Sequence, residues 1–191
     1  MTLFLPNIVP NIAEERSELL KQKGDLFMSE RNEAYFQQFV GQKIETSIYR
    51  IKGKKMSEYA ASIGDLNPKY YVKDPGDGSK PDYSKVIAHP AYAATYTIPG
   101  LFKIADVNGE DGSPLIKNVG KLLHTGQAYD YTGCAELTEE VGKVYTDAEM
   151  SKFWIKSEIL WVEVKLEVHD KENTKTFCRA TLTVGIRKGG Y

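Results

Sequence analysis

The clearest pattern in this chain is a strict alternation towards its end. Between Ile159 and His169, Leu160, Val162, Val164, Leu166 and Val168 fall on one side, and Glu163, Lys165, Glu167 and His169 on the other. That period of two predicts a strand with one face on a core and one in solvent, with His169 exposed. Asp170-Lys-Glu-Asn reads as a turn, and Thr174 to Arg187 as the returning arm of an antiparallel hairpin. Lys121 to Tyr131 and Lys143 to Ser157 are also strand-like, the second with an expected interruption near Asp147. Gln42 to Ile51 carries β-branched residues at Ile44, Thr46, Ile48 and Ile51 and predicts the first strand. Two segments change period. Met56, Tyr59, Ala60 and Ile63 recur at helical spacing, which predicts a helix over Lys54 to Ile63. Pro90 to Ile104 is the least polar segment and predicts a second helix. Pro90 suits the first turn of that helix, Ala91, Ala93 and Ala94 allow close approach to a sheet, and Pro99-Gly100 should interrupt or kink it.

The remainder is connection and extension. Asp74 to Asp82 and Asn108 to Ser113 are Gly- and Asp-rich loops. Residues 1–10 hold two prolines and read as an arm; Asn11 and Glu14 have capping-box spacing ahead of a helix running towards Lys23, which Gly24 would end. Ser29 to Gln38 reads as a further short helix. Residues 1–40 therefore form an N-terminal extension, and 41–191 one domain. Five antiparallel strands with one long apolar helix make the fold class α+β.

Between the first helix and its following loop lies Gly64-Asp-Leu-Asn-Pro-Lys-Tyr70. Asn67 is pushed out of the helical region by Pro68, so Asp65 and Asn67 sit on a tight turn, where short polar side chains bond nearby backbone N–H groups.

Composition narrows the function. The 191 residues carry a net charge of −1, so there is no basic footprint for nucleic acid. No apolar run approaches the roughly 20 residues of a membrane helix, and the first residues lack the basic start of a secretory signal. Two cysteines, Cys134 and Cys178, are too few for a disulfide framework and fit reduced thiols of a cytoplasmic protein. The three histidines, His89, His124 and His169, lie far apart and give no metal-ligand spacing. There is no phosphate-cradling Gly-rich loop and no Gly-x-Ser-x-Gly elbow. No metal and no cofactor are expected.

Three stretches in order resemble the MaoC-like (R)-specific enoyl-CoA hydratases and 3-hydroxyacyl-thioester dehydratases, which are hotdog-fold proteins. Gly64-Asp-Leu-Asn-Pro-Lys-Tyr70 is similar to the family's Gly-Asp-x-Asn-Pro-x-His; Val86-Ile-Ala-His-Pro-Ala-Tyr92 to its Ile-Val-His-Gly-Met; and Leu122-Leu-His-Thr-Gly-Gln127 to the Leu-His-Gly-Glu-Gln strand of N-terminal-type hotdogs. The resemblance spans about Gly41 to Arg187. It implies a single hotdog, its five-stranded antiparallel sheet wrapped around the helix at 90–104. It also implies an acyl-CoA or acyl-carrier-protein thioester as substrate, at the seam with a second hotdog subunit in a homo- or hetero-oligomer.

Hydration of an enoyl thioester needs a base for water, an acid for the α-carbon and a donor for the thioester oxygen. Carried over residue by residue, the resemblance puts the catalytic Asp at Asp65 and the structural Asn at Asn67. The His position is occupied by Tyr70, a poor base near pH 7. The oxyanion Gly is Pro90, which has no N–H; the donor would shift to Ala91 or Tyr92, whose N–H groups a helix start leaves free. His89 either touches the substrate or a partner's site, or bonds backbone at the start of the helix. His124, which with Gln127 resembles the family's His-Gly-x-Gln run, would order the turn around Asp65; the resemblance implies substrate binding by Asn67, Ala91, Tyr92, His124 and Gln127. Two departures at two elements leave three readings. The chain is a hydratase/dehydratase subunit working with another hotdog, a non-catalytic subunit that binds the acyl thioester, or a hotdog thioesterase. The absence of Asp and Glu from 90–104 argues against the last.

Overall fold

The computed structural model describes residues 31–191; the expected helix over 11–23 lies outside them. Five strands form one antiparallel sheet: β1 (Lys43–Arg50), β2 (Leu122–Asp130), β3 (Lys143–Lys156), β4 (Ile159–His169) and β5 (Thr176–Arg187), in the spatial order β1-β3-β4-β5-β2. The alternation in β4 is realised: Leu160, Val162, Val164, Leu166 and Val168 are all buried. Against that buried face lies the central helix. It opens with one 3-10 turn (Pro90–Ala93), continues as α3 (Ala94–Phe102) and closes with a second 3-10 turn (Lys103–Asp106). The helix preceding it, α2 (Gly53–Ser62), buries Met56 and Ala60. A short helix, α1 (Glu33–Phe36), starts the described chain.

Several expectations need correction. β3 runs unbroken through Asp147; the irregularity falls between Met150 and Lys152, and β1 bulges between Ile44 and Ser47. α3 passes through Pro99 and Gly100 without interruption, with Pro99 exposed. The close approach of helix and sheet is made at Gly100, whereas Ala91 is exposed. A Cβ on Gly100 would sit 3.0 Å from the Ser47 hydroxyl and 3.3 Å from the Thr146 methyl. His169 is buried, not exposed. A register shift after Val168 turns it under the Tyr145 ring, with Nδ1 2.6 Å from Asp170 O and Nε2 3.3 Å from Asp147 Oδ2 without hydrogen-bond alignment. α1 begins at Glu33, where Asn32 accepts the Tyr35 N–H at 3.1 Å as N-cap.

The interior divides into two clusters. The larger one packs Phe36, Phe39 and the end of the central helix (Leu101, Ile104) on the middle of the sheet. The smaller packs the start of that helix (Tyr92, Ala93, Tyr96) against Met56 of α2, Val86, Leu137 and Phe177. The motif-bearing loops lie over this second cluster.

Candidate active site

Three backbone devices bring the motifs together. α2 has no side-chain N-cap; its first N–H, on Gly53, is instead accepted by Glu139 Oε2 at 3.0 Å, a carboxylate where the helix end carries partial positive charge. At the other end the chain turns sharply. Asp65 Oδ1 accepts the Asn67 N–H and Asn67 Oδ1 accepts the Lys69 N–H, both at 3.0 Å, the paired turns expected of short polar side chains before a proline. The carbonyl of Asn67 accepts from Tyr70 and Tyr71, and Val72 N–H reaches the Ser57 hydroxyl back on α2. Ile87 then donates to Lys69 O and Ala88 to Leu137 O, so the segment before the central helix runs between the Asp65 loop and the loop after β2.

This weave sets His89 against Asp65. His89 Nε2 is 3.4 Å from Asp65 Oδ2, and the His89 side chain is 19% exposed. Its other nitrogen, Nδ1, accepts the Ala91 N–H at 3.1 Å. With Nδ1 an acceptor, the neutral ring carries its proton on Nε2, the nitrogen that faces the Asp65 carboxylate at 3.4 Å without hydrogen-bond alignment. Tyr70 stands edge-on to the same ring, with centroids 5.0 Å apart. The 3-10 turn behind His89 is pinned from two sides: Tyr59 donates to Ala91 O at 3.0 Å, and Tyr131 donates to Pro90 O.

Of the residues singled out from sequence, Asp65, Asn67, Tyr70, His89, Ala91 and Tyr92 meet here; His124 and Gln127 do not. His124 Nε2 bonds Gly126 O on its own strand at 3.1 Å, and Gln127 accepts from Tyr129 OH, so neither orders the Asp65 turn. The expectation of free N–H groups at Ala91 and Tyr92 also fails. Ala91 donates to His89 Nδ1, and Tyr92 to His89 O at 2.8 Å. The sequence reading missed Tyr59, Tyr131 and Phe177, which come from α2, the end of β2 and β5; no local spacing announces them.

Beside the pair opens a cavity of about 220 Å³. Tyr96, Leu137 and Phe177, all buried, form its floor, and Tyr70, His89 and Tyr131 its walls. Burial pushes the Tyr96 and Tyr131 phenols well above the ordinary tyrosine value, so both are neutral donors near pH 7. Both cysteines are free thiols; Cys134 lines the cavity, and burial raises Cys178 to about 11.

Residues 38–176 match the family described as FAS1-like, dehydratase domain region. The chain belongs to this family, and its fold is the one the MaoC-like hotdog proteins have. Solved structures share the fold at low identity. The MaoC-like dehydratase from Rhodospirillum rubrum is 12% identical, with a TM-score of 0.55 over 80% of this chain and 94% of its own. The R-hydratase PhaJ1 from Pseudomonas aeruginosa is 17% identical, with a TM-score of 0.53 over 82% and 87%. The HadBC (3R-hydroxyacyl-ACP dehydratase) complex from Mycobacterium tuberculosis is 10% identical, with a TM-score of 0.55 over 77% and 96%. No curated protein matches the chain. In this hotdog, Tyr70 stands where the resembled motif has its His, and it is His89, 24 residues beyond Asp65, that the fold delivers to the carboxylate.

Proposed function

We propose that this chain is a subunit of an enoyl-thioester hydratase/3-hydroxyacyl-thioester dehydratase, working beside a second hotdog. The observation that carries the reading is the Asp65–His89 pair at the mouth of the wrapped helix, next to a small aromatic-lined cavity. Asp65 offers an ionised acceptor and His89 Nε2 a donor, 3.4 Å apart. Addition of water to an enoyl thioester needs this combination: an acceptor to draw a proton from water, and a donor to return one to the α-carbon. Tyr59 and Tyr131 fix the turn that aims the imidazole, and Tyr70 packs on its edge. The substrate on this reading is an acyl-CoA or acyl-carrier-protein thioester.

A specific observation favours a partner subunit. The chain supplies no oxyanion donor at the expected place, because Pro90 has no N–H and those of Ala91 and Tyr92 are bonded internally to His89. A second hotdog at the seam would provide it. HadBC, similar in fold, is a 3R-hydroxyacyl-ACP dehydratase complex. The same observation supports a second reading, in which the chain binds the acyl thioester and leaves all chemistry to its partner.

The test is hydration of crotonyl-CoA, followed by loss of enoyl absorbance, for the chain alone, for a catalytic MaoC-like hotdog alone, and for the two combined. A slow rate alone and a large gain on combination supports the subunit reading. Asp65→Asn in the combined protein separates the alternatives: a fall in rate supports catalysis by this chain, and an unchanged rate supports the binding-only role.

A further inference from the structure

The cavity beside His89 has a second neighbour. A broader depression of about 810 Å³ lies next to it, lined by Arg50, Lys143, Tyr145 and Lys175 among others. The two share three residues: Ala135, Glu136 and Phe177. Ala135 and Glu136 are exposed loop residues, so the buried part of the dividing wall is the Phe177 ring, only 2% accessible. Across the outer rim, Lys69 and Glu136 form a salt bridge of 3.2 Å. The small cavity thus has Tyr96, Leu137 and Phe177 as its buried floor, with His89 on its wall and Phe177 shared with the larger depression.

We infer that Phe177 sets the length of acyl chain this subunit accepts, restricting it to short and medium thioesters of at most about eight carbons. The inference rests on the thioester reading of the site. Its size follows from the volume. A dry cavity of about 150 Å³ takes one benzene, six heavy atoms; the 220 Å³ here scales to roughly nine heavy atoms, an eight-carbon acyl group with its carbonyl oxygen. Longer chains would have to pass the Phe177 ring. The buried part of the lining suits an acyl occupant, since Tyr96, Leu137 and Phe177 present rings and methyl groups there, while the charged Lys69 and Glu136 are exposed at the rim. With Phe177 removed, the cavity joins the larger depression and the limit disappears.

Saturated acyl-CoAs and acyl-pantetheines of four to sixteen carbons, titrated calorimetrically into the assembled protein, test this without requiring turnover. Affinity should rise about fourfold per methylene, the gain expected for burying one CH₂, up to about eight carbons, and then stop rising or fall. The break should occur at the same length for both carriers, because it belongs to the acyl pocket. Phe177→Ala should remove the break, so that the twelve-carbon chain gains over the eight-carbon one. Should that variant not fold, Phe177→Leu should move the break to longer chains, and Ala135→Leu to shorter ones. An unbroken rise to sixteen carbons in the wild type, a break that ignores both substitutions, or no acyl-length dependence at all overturns the inference. None of these outcomes bears on hydration, which the combined-subunit rate tests separately.

Discussion

Asp65→Asn separates the chemistry of the site from its architecture. Oδ1 accepts the Asn67 N–H at 3.0 Å, and Oδ2 faces His89 Nε2 at 3.4 Å. Asparagine is isosteric but offers one acceptor and one donor. If its oxygen keeps the Asn67 bond, its NH₂ confronts the Nε2–H; if it flips, its NH₂ confronts the Asn67 N–H. One of the two, the Asn67 hydrogen bond or the 3.4 Å contact with His89, is lost in either case. A hydrogen bond to a charged group contributes about 1.5–3 kcal/mol when buried. Asp65 is 34% exposed, so solvent screening reduces this to roughly 0.5–1.5 kcal/mol. Melting should fall by about 1–6 °C for a domain of this size, leaving the fold intact at 25 °C. The rate should fall far more, by about 10²–10⁴, the usual contribution of a positioned acid or base. Thermal denaturation and crotonyl-CoA hydration on the same preparation give both numbers. A variant that melts lower yet hydrates as fast as wild type would refute the reasoning, because Asp65 would then be a turn residue only.

Gly53→Ala should destabilise severely, by about 3 kcal/mol or more: its Cβ would meet Glu139 Oε2 at 2.6 Å and Tyr83 backbone O at 2.9 Å, and urea denaturation reads the loss. Tyr131→Phe removes the hydroxyl that holds Pro90 O and should cost about 0.5–1.5 kcal/mol while lowering kcat more than it raises KM. In native protein a thiol reagent at pH 8 should modify the half-buried Cys134 slowly and Cys178 only after unfolding, since burial raises both thiols, the latter to about 11; fast modification of Cys178 would contradict its placement. The outer edges of β1 and β2 are unpaired among the described residues, with Ile48 59% and Leu123 38% exposed. Such edges invite pairing, and light scattering should find an even-numbered oligomer at micromolar concentration, not a monomer.

The strands were legible because their signal is local. Leu160 to Val168 alternate, and the sheet needs nothing else to place them. The Asp65 and Asn67 turns were legible for the same reason, since each side chain bonds a backbone N–H two residues on. What escaped depends on distant parts of the chain. His169 reads as the polar end of a strand, yet a one-residue register shift and the Tyr145 ring bury it. The pairing of His89 with Asp65 is set by the bonds of Ile87 to Lys69 and Ala88 to Leu137, which no spacing reveals. The N–H groups of Ala91 and Tyr92 are free in a generic helix start; here His89 folds back and takes both, one on its ring and one on its carbonyl. Phe177 is an ordinary strand aromatic until two cavities are seen to meet on it.

His89→Gln in the assembled two-hotdog protein asks whether Asp65 and His89 act together on a thioester. The variant removes the imidazole that returns a proton to the α-carbon while leaving a polar side chain at the start of the central helix. Crotonyl-CoA hydration should fall by about 10²–10⁴, with acyl-CoA binding changed by less than about tenfold. Hydration at the wild-type rate would contradict their joint action and leave the chemistry with the partner subunit.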